Sequence, residues 1–199
     1  MAPALKQLER ELRHLRKLVY FDDLTGVFNR RGFKEEAEKV FEGFAGLWHR
    51  TTSKGKEPDV AFSIIFIDAD NFKRINDVYG HDIGDEVLKK FGKLLQKNTR
   101  KSDIVGRWGG EEFVIALFGA PFEDAPLVAE RIRDDIENMK IPKRAKRKLR
   151  VTASIGLARF GGEQSLTELI HHADQAMYKA KKRGKNRVVI HNAAGTQNG

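Results

Sequence analysis

Glu111 and Glu112 follow two glycines, Gly109 and Gly110, and a long apolar segment begins at Phe113. Two positions without side chains let a large ligand approach the backbone. Neighbouring carboxylates can hold a divalent cation that carries phosphates. Ile104 and Val105 before the glycines and residues 113–118 after them read as a β-hairpin, with the glycines giving the turn its backbone freedom. A plain turn decorated with surface acids has the same pattern. A second acidic pair, Asp68 and Asp70, ends the most apolar run of the chain, residues 60–67. A strand buried on both faces should not end in acids unless its mouth opens on a site, and ligands of α/β sheets gather at strand carboxyl ends. Alternation puts both aspartates on one side if the strand reaches Asp70. Asp68 with Glu111 would supply two hard carboxylates from two sheet segments, which suits Mg²⁺ with its preference for few protein ligands. An Asp-x-Asp after a strand is equally a helix N-cap.

Asn71, Phe72, Lys73, Asn76 and Asp77 follow, and then Gly80, His81, Asp82, Gly84 and Asp85. An asparagine both donates and accepts, and a carboxylate accepts two N–H bonds, so together they match the edge of a guanine. Lys73 and the backbone amides after the strand could hold phosphates. His81 reads more simply as a structural hydrogen-bonding histidine than as a base.

The elements that must position these groups follow from periodicity. Leu5, Leu8, Leu12, Leu15 and Val19 recur at alternating three- and four-residue steps between polar residues, the seam of a heptad helix over residues 1–20. Such a helix either lies on its own domain or pairs with a second copy. Helical spacing resumes over residues 31–44, 85–96, 125–139 and 166–181. Strands are expected at 60–67, in the hairpin, at 151–160 and at 188–191. Residues 49–59 are polar and contain Gly55 and Pro58, a surface loop. Residues 192–199 are small and polar and are expected to fray. Helices and strands alternate but a hairpin interrupts them, which predicts an α/β (α+β) sandwich with a mixed central sheet rather than a doubly wound parallel one.

With 199 residues the chain can build one domain with a real core. It contains no cysteine, which excludes disulfides, thiol catalysis and Cys-ligated metal sites and fits the cytoplasm. No apolar run is long enough to span a bilayer, and the N-terminus lacks the apolar core and cleavage site of a secretory signal. The net charge of +9 attracts polyanions. Six of the nine residues from Pro142 to Arg150 are Lys or Arg, a pattern of a solvated loop, and no aromatic residue interrupts it to stack bases. A stable nucleic-acid complex is therefore not expected.

The sequence Gly-Gly-Glu-Glu-Phe at 109–113 resembles the signature of GGDEF domains, the diguanylate cyclases. The resemblance extends over residues 21–191. It takes in Asp22 to Arg31, Asp68 to Lys73, Asn76-Asp77, Gly80 to Asp85, Ser154-Ile155-Gly156, Ala173-Asp174, Tyr178 to Lys181 and Gly184-Lys185-Asn186. It implies a fold similar to polymerase palms and nucleotidyl cyclases. It also implies condensation of two GTP into cyclic di-GMP with release of pyrophosphate, each of two facing domains holding one GTP. Carried over by position, Asp68, the Ala69 carbonyl and Glu111 would bind Mg²⁺ or Mn²⁺. Glu112 would assist the metal or deprotonate the ribose hydroxyl. Asn76 and Asp85 would read guanine, with Asp85 favouring a guanine-only enzyme. Asn71, Phe72, Lys73, Lys181 and Lys185 would meet the phosphates, with Gly109 and Gly110 beside them. Lys185 stands where the family often has Arg, exchanging a bidentate grip for a point charge.

Arg100-Lys101-Ser102-Asp103 resembles the family's product-inhibition site, where Arg stacks on guanine and Asp receives its N–H groups. Arg131 falls where a second arginine clamps the product across two domains. The resemblance thus implies GTP as substrate, cyclic di-GMP as product and inhibitor, a homodimer for catalysis and an upstream sensor domain or partner. A catalytically inactive receptor for cyclic di-GMP or GTP is the alternative within the same family.

Overall fold

The computed structural model describes residues 2–140 and 149–191. In chain order these form α1 (Ala2–Tyr20), α2 (Arg30–Thr52), β1 (Ala61–Ala69), α3 (Phe72–Tyr79), α4 (His81–Asn98), β2 (Ile104–Arg107), β3 (Glu112–Ala120), α5 (Asp124–Glu137), β4 (Ala153–Arg159), α6 (Leu166–Lys182) and β5 (Arg187–Ile190). The five strands make one sheet in the order β2-β3-β1-β4-β5. β1 pairs antiparallel with β3 and β4, β2 pairs antiparallel with β3, and only β4 and β5 run parallel. This is the mixed sheet that the hairpin pattern predicts, in the palm-like arrangement that the family resemblance implies.

β1 is the centre because its whole length is apolar enough to be covered twice: every residue from Ala61 to Ala69 is buried. Alternation then divides its side chains. Ile65, Ile67 and Ala69 join a core under α3, α4 and α5, where Phe72, Val87, Phe91, Leu95 and Ile132 pack. Phe62, Ile64 and Phe66 join a second core under α2 and α6, where Phe33, Phe41, Phe44, Leu169 and Met177 pack. Layers of helix, sheet and helix result.

Several boundaries differ from the periodicity. α2 continues to Thr52, through the start of the expected 49–59 loop, and the hydroxyls of Thr51 and Thr52 bond back to the carbonyls of Leu47 and Trp48. α4 begins at His81, earlier than its apolar spacing indicates, and α3 is a separate eight-residue helix that buries only Phe72 and Ile75. So short a helix offers too few apolar positions to show a period. Residues 192–199, expected to fray, and all but the last two residues of the basic run lie outside the described residues.

The leucines of α1 are not laid on the domain. Leu5, Leu8, Leu12 and Leu15 are 52–60% exposed, which removes the first of the two readings of the heptad seam. No helix among the described residues is long and apolar enough to cross a membrane.

β4 carries a tight contact that fixes α6. A methyl group at Gly156 would sit 2.0 Å from the Ala173 carbonyl oxygen and 2.2 Å from the Met177 nitrogen, both backbone atoms of α6. Gly156→Ala must push the helix off the sheet, and we expect it to cost about 1–3 kcal/mol. Urea denaturation measures this, and an unchanged midpoint would show that α6 has slack against β4.

Candidate active site

The site is built on the end of β1. In the β1–β3 ladder Asp68 lies opposite Glu112, and just beyond it the Ala69 N–H donates to the Glu111 carbonyl at 3.2 Å. Register therefore brings the strand-end acid and the signature acids to one place. Asp68 is 4% exposed, and its Oδ2 accepts from Lys181 Nζ of α6 at 2.7 Å. Burial pushes the Asp68 carboxyl up; Lys181 opposes the shift, while Glu111 and Asp70 add to it. Burial likewise pushes Glu112 up, reinforced by Asp68, Asp174 and Glu111. Five acids thus surround one lysine, and the site holds excess negative charge that a hard cation would relieve.

No group of three or more His, Asp or Glu side chains among the described residues stands close enough to hold a metal by itself. The donor set fits a smaller demand. Two carboxylates and a carbonyl leave the remaining places of an octahedral ion to water and phosphate oxygens, as Mg²⁺ prefers. Asp68, the Ala69 carbonyl and Glu111, brought together by the β1–β3 register, are the residues that would hold such an ion.

Asp70 does something else. The strand ends at Ala69, and both Asp70 oxygens are occupied: Oδ1 by the Ser154 hydroxyl at 2.6 Å, Oδ2 by the Thr152 hydroxyl at 2.7 Å and the Asn186 N–H at 3.0 Å. It ties β1 to β4 and to the turn before β5. The expected placement of the two aspartates on one open side does not hold.

The glycines also act differently from the expectation. Neither Gly109 nor Gly110 has a positive φ. What Gly109 supplies is room, since a methyl group there would lie 2.9 Å from Glu112 Oε2. Gly110 faces open space. The turn is held by Arg107, whose Nε and Nη2 donate to the Gly110 carbonyl at 3.1 and 2.7 Å. The same guanidinium donates through Nη1 to both oxygens of Asp22, at 3.2 and 3.1 Å, and Asp22 also accepts from the Thr25 backbone and hydroxyl. Periodicity singles out neither member of this link, although Arg107 stands two residues before the signature.

A second group of candidates lies across α3 and α4. Asn76 Oδ1 is buried without a hydrogen-bond partner, pressed against Gly84 where a methyl group would meet it at 1.9 Å. A buried acceptor without a donor is costly, which sets Asn76 apart from the other polar side chains of this region. Asp85 follows Gly84 and is exposed. Phe72 is buried, and Lys73 projects from the first turn of α3, whose N-cap Asn71 makes no side-chain cap. The open N–H groups there favour an anion. Lys185 Nζ reaches Asn71 Oδ1 at 2.5 Å. Asp68, Glu111, Glu112 and Lys181 thus gather at the strand end, and Asn71, Lys73 and Lys185 gather beside them at the head of α3.

Arg100 and Asp103, just before β2, and Arg131, on α5, lie apart from this and share a cavity of about 310 Å³ with Asn98, Asp124 and Leu127. The Arg100 N–H donates to Asp103 Oδ2 at 2.7 Å, and burial pushes the Asp103 carboxyl up against the pull of Arg100. Arg131 is committed within the chain: Nε and Nη2 donate to Asn98 Oδ1 and O, each at 2.8 Å.

A sheet of this order with acids at the end of its central strand and on the adjoining hairpin is the palm-like fold of nucleotidyl cyclases. The family model of the diguanylate cyclase GGDEF domain matches residues 19–187, and the chain belongs to that family. Diguanylate cyclase DgcM of Escherichia coli K12 is 38% identical over 188 residues, 92% of this chain and 40% of its own. The chain spans about two-fifths of the length of the curated relatives it matches. The active GGEEF domain of a diguanylate cyclase from Vibrio cholerae superposes with a TM-score of 0.69 at 33% identity, over 83% of this chain and 98% of that one. The coiled coil and GGDEF domain of DgcB from Caulobacter crescentus, solved with c-di-GMP, shares the fold with a TM-score of 0.79 at 24% identity, over 95% and 94% of the two chains.

The Asp22–Arg107 pair is largely shielded, with side-chain exposures of 21% and 18%. Arg107→Ala leaves Asp22 without its cation and Gly110 without its donors, and it should lower unfolding stability by about 1–3 kcal/mol. Chemical denaturation reads the loss; none would mean that the hairpin tip is held by other bonds.

Proposed function

We propose that this protein is a divalent-metal-dependent diguanylate cyclase, condensing two GTP into cyclic di-GMP and pyrophosphate across a dimer of domains. The observation that carries the reading is the register that sets Asp68 against the signature Glu111 and Glu112, in a chain whose named relatives include diguanylate cyclases.

Phosphoryl transfer asks a protein for positioning and charge neutralisation. Asp68, the Ala69 carbonyl and Glu111 would hold Mg²⁺ or Mn²⁺. When bound, the ion polarises the α-phosphate and acidifies the attacking 3′-hydroxyl. Glu112 takes that proton; its carboxyl is pushed up by burial and by Asp68 and Asp174, in the direction that makes a carboxylate a better base. Asn76 receives the guanine N–H that its buried oxygen lacks, and Asp85 takes the other edge donors. Lys73, Lys181 and Lys185 meet the phosphates with the open amides around Asn71 and Phe72. Gly109 and Gly110 let the nucleotide lie close to the hairpin. Each domain supplies one GTP, so two copies meet at this end. The exposed leucines of α1 bring them together, and an upstream sensor sets the pairing.

Product returns to Arg100 and Asp103 and holds two domains in an unproductive arrangement, a shift of population rather than competition with GTP. For Arg131 to clamp that product it must first leave Asn98.

Glu111→Gln should abolish product formation from GTP and Mg²⁺ while leaving the melting temperature within a few degrees of the wild type. Chromatography with mass detection of cyclic di-GMP decides this, and a fully active variant removes the metal assignment. A wild type that makes no product but binds cyclic di-GMP would instead be the receptor. Arg100→Ala should abolish product inhibition, read as a progress curve that no longer slows as cyclic di-GMP accumulates. A curve that slows as before overturns the inhibitory site.

A further inference from the structure

The turn between α6 and β5 carries three consecutive positive φ values, one of them on a lysine, which disfavours that conformation. Gly184 has φ +107, Lys185 φ +64 and Asn186 φ +45. Two consecutive non-glycine residues in the left-handed region are uncommon, and lysine is not among the types that enter it readily. Such a backbone persists only where its surroundings over-determine it.

Here they do, through Asn186. Its N–H donates to Asp70 Oδ2 at 3.0 Å, its Nδ2 donates to Glu137 Oε2 at 3.1 Å, and its Oδ1 accepts from Arg133 Nη1 at 3.1 Å. Each partner is itself fixed. Asp70 is held by Thr152 and Ser154 of the β4 segment. Glu137 and Arg133, one turn apart on α5, bond to each other at 2.8 Å, and Arg150 also pairs with Glu137. These donors hold the Glu137 carboxyl down at about 2, so it stays charged at any working pH. The side chain that emerges from this turn is Lys185, which extends to the head of α3.

We infer that Glu137 and Asn186 are positioning residues: they lock the left-handed turn so that Lys185 points at the phosphates of a nucleotide bound at the head of α3. The inference deepens the proposed function and rests on the phosphate role given there to Lys185. Neither residue touches the nucleotide. They act by keeping one conformation of a long, flexible cation populated, so that less of its freedom is lost when phosphate binds. The same aspartate that anchors the turn lies two residues beyond Asp68, so the strand end and the turn that carries Lys185 share one rigid support.

The test measures the affinity of the full chain for α,β-methylene GTP with Mn²⁺ by calorimetry, beside the melting temperature. This analogue cannot release pyrophosphate, so binding is read without turnover. Lys185→Ala should weaken binding about tenfold, the scale of one charge-assisted phosphate contact. Asn186→Ala and Glu137→Ala should each weaken it several-fold. Adding either to Lys185→Ala should cause no further loss, because positioning has no effect once the positioned group is gone. A purely structural role would instead weaken binding equally in both backgrounds, and that result overturns the inference. So would wild-type affinity in Asn186→Ala and Glu137→Ala while Lys185→Ala is weak, and that outcome leaves the phosphate role of Lys185 standing. Wild-type affinity in Lys185→Ala removes the phosphate role itself and this inference with it. Should Asn186→Ala fail to fold, Glu137→Ala, at the C-terminal end of α5, decides alone.

Discussion

A carboxylate buried at the end of an apolar strand is the constraint from which the rest of this structure follows. Asp68 is covered on both faces of the sheet, and an ion so placed needs a partner or it takes up a proton. Lys181 provides one at 2.7 Å. That requirement fixes α6 against β1, and α6 can come so near only because β4 offers Gly156 beneath it. The hairpin then brings more negative charge to the same place, beyond what one ammonium can neutralise. That excess is the charge a divalent cation bound at this end would offset.

Support for the hairpin comes from the opposite side. The segment between α1 and α2 reaches the signature through Asp22 and Arg107, and Arg107 grips the peptide that precedes Glu111. Asn29 bonds the Val19 and Phe21 carbonyls, so the end of α1 and the start of α2 are one piece with this link. A displacement of α1 therefore reaches the hairpin turn through bonds rather than through loose packing.

The sequence made some of this legible and not the rest, for physical reasons. β1 was readable because a strand buried on both faces has an unbroken apolar run, and the acids at its end stood out against that run. α4, α5 and α6 were readable from long periods. α3 was not, because one turn of burial leaves no period. Asp70 read like Asp68 in every local respect; only the hydroxyls of Thr152 and Ser154, some eighty residues away in the chain, separate their roles. Glycines at 109 and 110 suggested a turn conformation, whereas the demand at Gly109 is for space beside Glu112. Asn186 was visible as part of a resemblance, but its bonds to α5 depend on packing that no local pattern encodes.

One feature of the segment after α1 bears on how this chain meets others. β2 is an edge strand, and an edge normally exposes donors and acceptors that invite a foreign strand. Here Phe28 donates to the Val105 carbonyl and accepts from the Arg107 N–H, closing that edge beside the hairpin. Any copy that docks at this end finds no ladder to extend. Contacts there must come from side chains and ligand alone, which favours partners that separate again over partners that fuse into a continuous sheet.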